Sequence, residues 1–334
     1  MTDKPPRIPI PMVVIGGYLG TGKTTVLNRL LTDTQGRRVA VLVNDFGEIN
    51  IDAAMIRARS DDVIQLENGC VCCSIGDKLV QALADIGERE ERPDLLVIEA
   101  SGVSDPMRIA QVGMLDSAYR LNAIVVTADV SRLGENLNDP LVGDMVRQQL
   151  SAATAVILTK CDLVSEEGVL ESSEVVKHMA SRAAIFRAEH GAIPLSVFMD
   201  ALPLEATPQP RGSDLTAHDG RWKKQSTNAS LHSSITSFAY RTTGRFHKQQ
   251  LRQVLRELPA GTLRAKGIVQ VHGKERAQEF HVVGGRVRVG DAQVAQVAQV
   301  ADVVEVSESV LVFIGCLTAA DEAQVRSGLD AARH

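Results

Sequence analysis

The octapeptide Gly17-Tyr18-Leu19-Gly20-Thr21-Gly22-Lys23-Thr24 constrains this chain more than any other stretch. It follows the apolar run Met12-Val13-Val14-Ile15 and precedes residues 25–31, in which Val26, Leu27, Leu30 and Leu31 share one helical face. Strand, glycine-rich turn and helix in that order frame a phosphate-binding P-loop. In such a loop successive backbone N–H groups surround nucleotide phosphates, the lysine reaches the β and γ positions, and the hydroxyl meets Mg²⁺. Gly17, Gly20 and Gly22 leave out Cβ atoms that would block so close an approach. The phosphate then lies at a helix N-terminus, where N–H groups and the helix dipole favour negative charge. Leu19, Thr21, Lys23, Thr24 and Thr25 complete the expected nucleotide cradle.

At 334 residues and 44% apolar content, the chain is long enough for two domains with a core in each. A formal charge of −5 argues against nucleic acid or an anionic membrane surface as a partner. No apolar run approaches the roughly 20 residues of a membrane span, and the Pro-rich start lacks the apolar centre of a signal peptide, so the expected location is cytoplasmic. Three of the five cysteines, Cys70, Cys72 and Cys73, fall within four positions. In a reducing compartment such crowding points to metal or redox chemistry rather than a disulfide framework. Cys161 and Cys316 stand alone and read as small buried apolar residues.

Val39 to Val43 is a continuous apolar run, as expected of a parallel strand covered on both faces. It delivers the polar loop Asn44 to Asp52, which carries Asp45 and Glu48. In a doubly wound sheet the loops at the carboxyl ends of the strands gather around the ligand, so this one is expected near the γ-phosphate. Val63 to Leu66 reads as a short strand leading to the cysteines. A helix is expected from about Asp77, with Leu79, Val80, Leu83 and Ile86 as its apolar stripe. The apolar strand from Leu95 then presents Glu99 and Gly102, an arrangement that puts a carboxylate near Mg²⁺ and a backbone N–H near a γ-phosphate. Val103-Ser104-Asp105, ahead of Pro106, is a candidate switch.

Further strands are expected over 123–127 and 155–158, with a helix over 142–152 between them. The second strand runs into Thr159-Lys160-Cys161-Asp162, placed where GTP-binding P-loop proteins carry Asn/Thr-Lys-x-Asp. A buried Asp162 there accepts from guanine N1–H and the 2-amino group and rejects adenine, whose polarity is opposite. A helix over 169–179 and a strand over 193–198 complete a first domain at 1–199. Residues 200–232, rich in Pro, Ser, Thr and Asn, read as a partly disordered linker. In 233–334 the order strand, helix, three strands, helix fits a small α+β layer of ferredoxin-like type. The Gln/Val/Ala repeat over 293–301 carries no assigned function. The fold class is thus α/β, a P-loop NTPase with a doubly wound, mainly parallel sheet, plus a small C-terminal α+β domain.

The segments 16–25, Asn44-Asp45-Phe46-Gly47-Glu48, Glu67-Asn68-Gly69-Cys70-Val71-Cys72-Cys73, Glu99-Ala100-Ser101-Gly102 and Leu158 to Asp162 together resemble the CobW-type metallochaperone GTPases, a family related to HypB and UreG. Leu263 to Gly267 and Val312 to Gly315 look like that family's C-terminal domain, so the resemblance spans nearly all of the chain outside the linker and the ends. It implies GTP hydrolysis with Mg²⁺, binding of Zn²⁺ or another transition metal such as Co²⁺, Ni²⁺ or Fe²⁺ at the Cys-x-Cys-Cys motif, and nucleotide-controlled delivery to a client metalloprotein. In two places the sequence departs from the family. Val43 stands where some relatives carry a metal-binding carboxylate, and the eight histidines are scattered rather than gathered in a metal-storing run.

Placed on these residues, hydrolysis assigns Lys23 to charge on the transferring phosphoryl group, Thr24 and Glu99 to Mg²⁺, and Asp45 to the attacking water, with Glu48 and Asp105 as competitors. No arginine is placed by the sequence as a finger, which implies slow turnover without a partner. Cys70, Cys72 and Cys73 would give zinc most of a tetrahedral shell, and Glu48 is the replacement if one of the adjacent cysteines turns away. Two other readings compete. One is a GTP-dependent regulatory switch with redox-sensing cysteines and no metal cargo. The other is a small-molecule kinase, against which Thr159 to Asp162 and the three cysteines argue. Cargo metal, client and oligomeric state are not written in the sequence.

Overall fold

The computed structural model describes residues 8–43, 78–188, 190–199, 235–291 and 308–333, with 63–65 and 74–77 as backbone. A seven-stranded, all-parallel sheet in the order β3-β2-β4-β1-β5-β6-β7 forms the first layer. Its strands are β1 (Ile10–Gly16), β2 (Val39–Val43), β3 (Val63–Gln65), β4 (Leu95–Glu99), β5 (Tyr119–Asp129), β6 (Ala155–Thr159) and β7 (Ala184–Arg187). The near-continuous Val, Ile and Leu of these strands follow from burial on both faces. On one face α1 (Lys23–Thr32) covers a core of Val13, Ile15, Val41 and Val97. On the other α2 (Ser74–Glu88), α3 (Pro106–Gly113), α4 (Leu133–Asn138), α5 (Gly143–Ala152) and α6 (Glu166–Met179) enclose Met12, Val14, Leu42, Ile98 and Ile124.

Several elements differ from expectation for visible reasons. Helix α2 starts at Ser74, not Asp77, and its buried stripe is Leu79, Ala82, Leu83 and Ile86. Val80 is 52% exposed, because it lies about 100° around the helix from Leu79. Helix α6 begins at Glu166, three residues early, because the Ser165 hydroxyl accepts from Gly168 N–H and caps it. The expected strand over 193–198 is instead a 3₁₀ turn, Leu195–Val197, which buries Val197, Phe198 and Met199 under the sheet. Pro194 has no N–H to give a ladder, and the sheet edge is filled by β7, whose Ala184 and Phe186 alternate inward.

The second layer is a separate antiparallel sheet in the order β11-β10-β9-β12-β8. It consists of β8 (Thr236–Thr242), β9 (Thr262–Val269), β10 (Gln278–Val283), β11 (Arg286–Asp291) and β12 (Ser309–Gly315), with α7 (Lys248–Arg256) and α8 (Ala319–Ala331). The last strand, β12, pairs antiparallel with both β8 and β9, so the β8-α7-β9 unit is split by it. Edge strand β11 was not anticipated. It returns from β10 through Gly284-Gly285, both at positive φ, and its outward Arg286 and Arg288 discourage further pairing. Phe238, Phe280 and Phe313 fill the core, with Phe238 and Phe313 stacked at 4.9 Å.

The two layers meet along the first half of β5. His281 Nε2 lies 2.8 Å from Leu121 O, so that nitrogen carries the proton. Arg120 pairs with Glu279 at 3.7 Å, and Arg264 Nη1 donates to Val197 O at 3.5 Å. The expected linker, 200–232, and the 293–301 repeat lie outside the described residues.

Candidate functional site

Strand register brings several chain exits to one edge of the sheet. Ile15 and Val43 both align with Glu99, Val43 with Gln65, Gly16 with Val126, and Asp129 with Thr159. The turns after these strands therefore open toward the carboxyl ends of the sheet, where ligands of doubly wound folds bind.

At the centre, β1 turns into the P-loop at Gly17, whose φ of 133° is open to glycine alone. A Cβ there would sit 2.4 Å from Thr127 Oγ1 and 2.8 Å from Thr21 Oγ1. Threonines hold this tight turn. The Thr21 hydroxyl donates to Tyr18 O at 2.7 Å and lies 2.7 Å from the Thr127 hydroxyl, which also reaches Gly16 O at 3.3 Å. The Thr159 hydroxyl donates to Thr21 O at 2.8 Å. The loop is thus tied to the ends of β5 and β6 by buried side chains.

Lys23 opens α1, and its Nζ donates to Gly17 O at 3.0 Å and Tyr18 O at 3.1 Å, which folds the ammonium over the loop. Next to it, the Thr24 hydroxyl donates to Glu99 Oε1 at 3.2 Å. A hydroxyl and a buried carboxylate side by side at the head of a helix form an all-oxygen donor pair, which is what Mg²⁺ takes. The turn after β4 packs on the same loop: a Cβ on Gly102 would lie 2.9 Å from Leu19 N, and one on Gly16 would lie 3.0 Å from the Pro106 ring. Leu19, Gly20 and Thr25 are exposed, and among the described residues nothing beyond its chain neighbours lies within 4 Å of a Cβ placed on Gly20.

On the far side of the P-loop, Lys160 holds a left-handed backbone conformation (φ 55°, ψ 33°), which costs a non-glycine residue about 1 kcal/mol or more. Its ammonium meets Asp129, whose side chain is 3% exposed, at 2.6 Å. Asp129 also accepts from Ser131 Oγ at 2.6 Å and Ser131 N–H at 3.0 Å. Burial pushes the Asp129 carboxyl up, but the hydrogen bonds from Lys160 and Ser131 outweigh it and hold the group below the usual aspartate range. The chain then enters the short turn Cys161–Leu163, closed by Leu163 N–H to Lys160 O at 3.0 Å. Asp162 is exposed on this turn.

A family model described as the CobW/HypB/UreG nucleotide-binding domain matches residues 11–187, more than half of the chain. This chain belongs to the CobW/HypB/UreG family. A second model, the cobalamin synthesis protein cobW C-terminal domain, matches residues 235–333. A relative from Dictyostelium discoideum, zinc-regulated GTPase metalloprotein activator 1, is 29% identical over 303 residues, covering 77% of this chain and 62% of its own. Zinc chaperone YjiA of Escherichia coli is 32% identical over 200 residues, covering 58% of this chain and 61% of that protein. The chain spans about three fifths of the length of these curated relatives. Zn(II)-bound YjiA GTPase from E. coli aligns in structure over 98% of this chain and 100% of its own, with a TM-score of 0.45 and 21% identity.

In this CobW-family chain the expected nucleotide residues Gly17 to Thr25, Glu99, Gly102, Thr159, Lys160 and Asp162 all lie at one end of the sheet. Thr159 braces the P-loop with a hydroxyl committed to backbone. Asp45, Glu48, Cys70, Cys72 and Cys73 lie outside the described residues. Among the described residues no group of three or more His, Cys, Asp or Glu side chains is gathered for a metal. Cys161 and Cys316 pack partly buried against the cores, and burial raises both thiols, Cys316 to about 11. Sequence reasoning missed Thr127 and the role of Asp129. Both are polar residues that follow the apolar run Ala123 to Val126 at the end of β5, which is the signal that could have found them.

The Asp129–Lys160 pair yields a prediction with a definite sign. Asp129→Asn should lower stability by about 1–2 kcal/mol near neutral pH, a value discounted for the partly exposed lysine. A group held below its unfolded value stabilises above that value and loses the effect as pH falls through its folded one. The gap between wild type and mutant in thermal melts should therefore be full above about pH 5 and begin to shrink only as pH falls below about 4. A gap that widens on acidification would contradict the pairing.

Proposed function

We propose that this protein is a GTP-hydrolysing metallochaperone that binds Zn²⁺ or a related transition metal at Cys70, Cys72 and Cys73 and passes it to a client metalloprotein under nucleotide control. The observation that carries this reading is the register. Val43 aligns with both Glu99 and Gln65, so the segment bearing Asp45 and Glu48 and the segment bearing the cysteines leave the sheet from the edge that holds Lys23, Thr24 and Gly102. The names of the relatives, which are zinc chaperones and zinc-regulated GTPases, support the same assignment.

In this reading the P-loop backbone and Lys23 hold the β- and γ-phosphates and stabilise charge on the transferring group. Thr24 and Glu99 would hold Mg²⁺, which when bound supplies neutralising charge at those phosphates. Gly102 N–H senses the γ-phosphate, and Asp45 orients the attacking water. Asp162 accepts from the guanine edge, and the Asp129–Lys160 pair fixes the turn that presents it. Three ligands from Cys70, Cys72 and Cys73, with Glu48 as the replacement if one of the adjacent cysteines turns away, would leave a tetrahedral shell incomplete, so that the ion can be released. The cysteines lie in sequence between the two loops assigned to the γ-phosphate, and if nucleotide changes the affinity for metal, metal changes the affinity for nucleotide by the same factor.

The test is a zinc titration of the purified protein with and without a non-hydrolysable GTP analogue. The expected result is a several-fold change in zinc affinity on adding nucleotide, and Cys72→Ser should weaken binding and remove that change. Equal zinc affinity in Cys72→Ser and wild type would discard the site. Negligible zinc in protein purified without chelator, with activity following thiol oxidation, would favour the redox switch.

A further inference from the structure

Gln149 lies on α5 at an apolar-stripe position, between Val146 and Leu150, and is 1% exposed. An amide in such a place is unfavourable against leucine unless its donors are satisfied, and both of its donors enter a single loop. Nε2 donates to Gly102 O at 3.1 Å and to Ser104 O at 2.9 Å. The same loop is closed on itself by Ser104 N–H to Ser101 O at 3.0 Å and by the Ser101 and Ser104 hydroxyls 2.8 Å apart. From the adjacent position on α5, Gln148 donates to Asp105 Oδ2 at 2.8 Å, while Asp105 Oδ1 accepts from Met107 N–H and caps α3. Helix α5 therefore grips the loop between β4 and α3 at three successive points.

The geometry points to Gln149 as a positioning residue that holds the loop after β4 against the P-loop and so sets how strongly the protein prefers GTP to GDP. The held carbonyls bracket Val103, and the residue just before it, Gly102, is the one seated on Leu19. The loop cannot leave the P-loop without breaking the two hydrogen bonds from Gln149, one buried and one part-buried, or dragging α5 with it. GTP and GDP differ only in the γ-phosphate, and a ligand shifts an equilibrium only by its differential affinity for the two states. Holding the loop in its seated state in advance lowers the ordering that GTP must supply and leaves GDP nearly unaffected. This inference rests on the proposed meeting of Gly102 N–H with the γ-phosphate.

Affinities for a non-hydrolysable GTP analogue and for GDP are measured in wild type, Lys23→Ala, Gln149→Met and Gln149→Glu. Gln149→Met keeps the volume and removes both donors. It should lower the ratio of analogue affinity to GDP affinity about tenfold, with GDP affinity changed by no more than about twofold. In Gln149→Glu the carboxylate faces two carbonyls with no proton to give, whereas its protonated form restores one donor. The lost discrimination should therefore partly return as pH is lowered, which a packing role would not produce. If Gln149→Met fails to fold, that pH profile carries the test alone. A folded Gln149→Met with the wild-type ratio, or a Gln149→Glu without pH-dependent recovery, overturns the inference. If Lys23→Ala abolishes nucleotide binding in the same series, the P-loop reading stands regardless. Wild type that binds neither nucleotide, or Lys23→Ala that both binds and hydrolyses GTP normally, overturns the reading and the inference with it.

Discussion

Lys23→Ala is expected to abolish GTP hydrolysis, with a fall of at least about 10²- to 10³-fold in kcat, while the protein still folds. The two halves of this prediction come from different contacts. The chemistry is expected to depend on the ammonium of Lys23, the first residue of α1, which is folded over Gly17 O and Tyr18 O. No proton transfer by the protein offsets its loss, because phosphoryl transfer depends almost wholly on positioning and charge stabilisation. The fold depends on other groups. Tyr18 O keeps its bond from the Thr21 hydroxyl, and Thr127 and Thr159 still tie Thr21 to β5 and β6. A melting temperature within a few degrees of wild type beside absent phosphate release is the expected pair of results. Near-normal turnover by the mutant would remove the P-loop from the mechanism.

Much of this site was legible in the chain because its chemistry imposes spacing. The P-loop glycines are fixed by positive φ and close approach, and Glu99 and Thr159 stand at the ends of strands whose apolar runs announce them. The parts that stayed hidden are those whose meaning depends on a partner distant in sequence. Thr127 is one more β-branched residue until Thr21, 106 residues away, is placed beside it. Gln149 looks like a break in the stripe of α5 until the loop after β4 arrives beneath it. The strand expected at 193–198 failed for a partly related reason, since Ile-Pro-Leu-Ser-Val-Phe alternates well enough for a strand, and Pro194 together with the edge position taken by β7 excludes it. Strand β5 shows how far such long-range placement extends. Its first half carries Arg120 and Leu121, which meet the second sheet, and its last residues carry Thr127 and Asp129, which hold the P-loop and Lys160. One strand thus meets the C-terminal sheet at its start and the P-loop at its end.

Asp162→Asn should exchange the base preference of the protein. Guanine offers two donors, N1–H and the 2-amino group, to a carboxylate that can accept both. Asparagine accepts one and sets its own NH₂ against the other. Xanthine carries a carbonyl where guanine has the amino group, so an Asn at this position meets one donor and one acceptor and is satisfied by both. Sites that bury such a group reach about 10⁴- to 10⁵-fold discrimination, because the rejected ligand strands buried polar atoms. Here Asp162 is exposed on the turn Cys161–Leu163 and can return to water when the wrong base binds, so a loss of about 10²- to 10³-fold in GTP affinity is expected, with a matching gain for XTP. The Asp129–Lys160 pair keeps the turn in place in the mutant, and thermal stability should be unchanged within about 0.5 kcal/mol, as for other surface substitutions. Competition of XTP and GTP for a labelled guanine nucleotide reads both changes at once. An unchanged GTP affinity in Asp162→Asn would mean that the base is recognised elsewhere, and guanine specificity would then have to be sought outside the β6 turn.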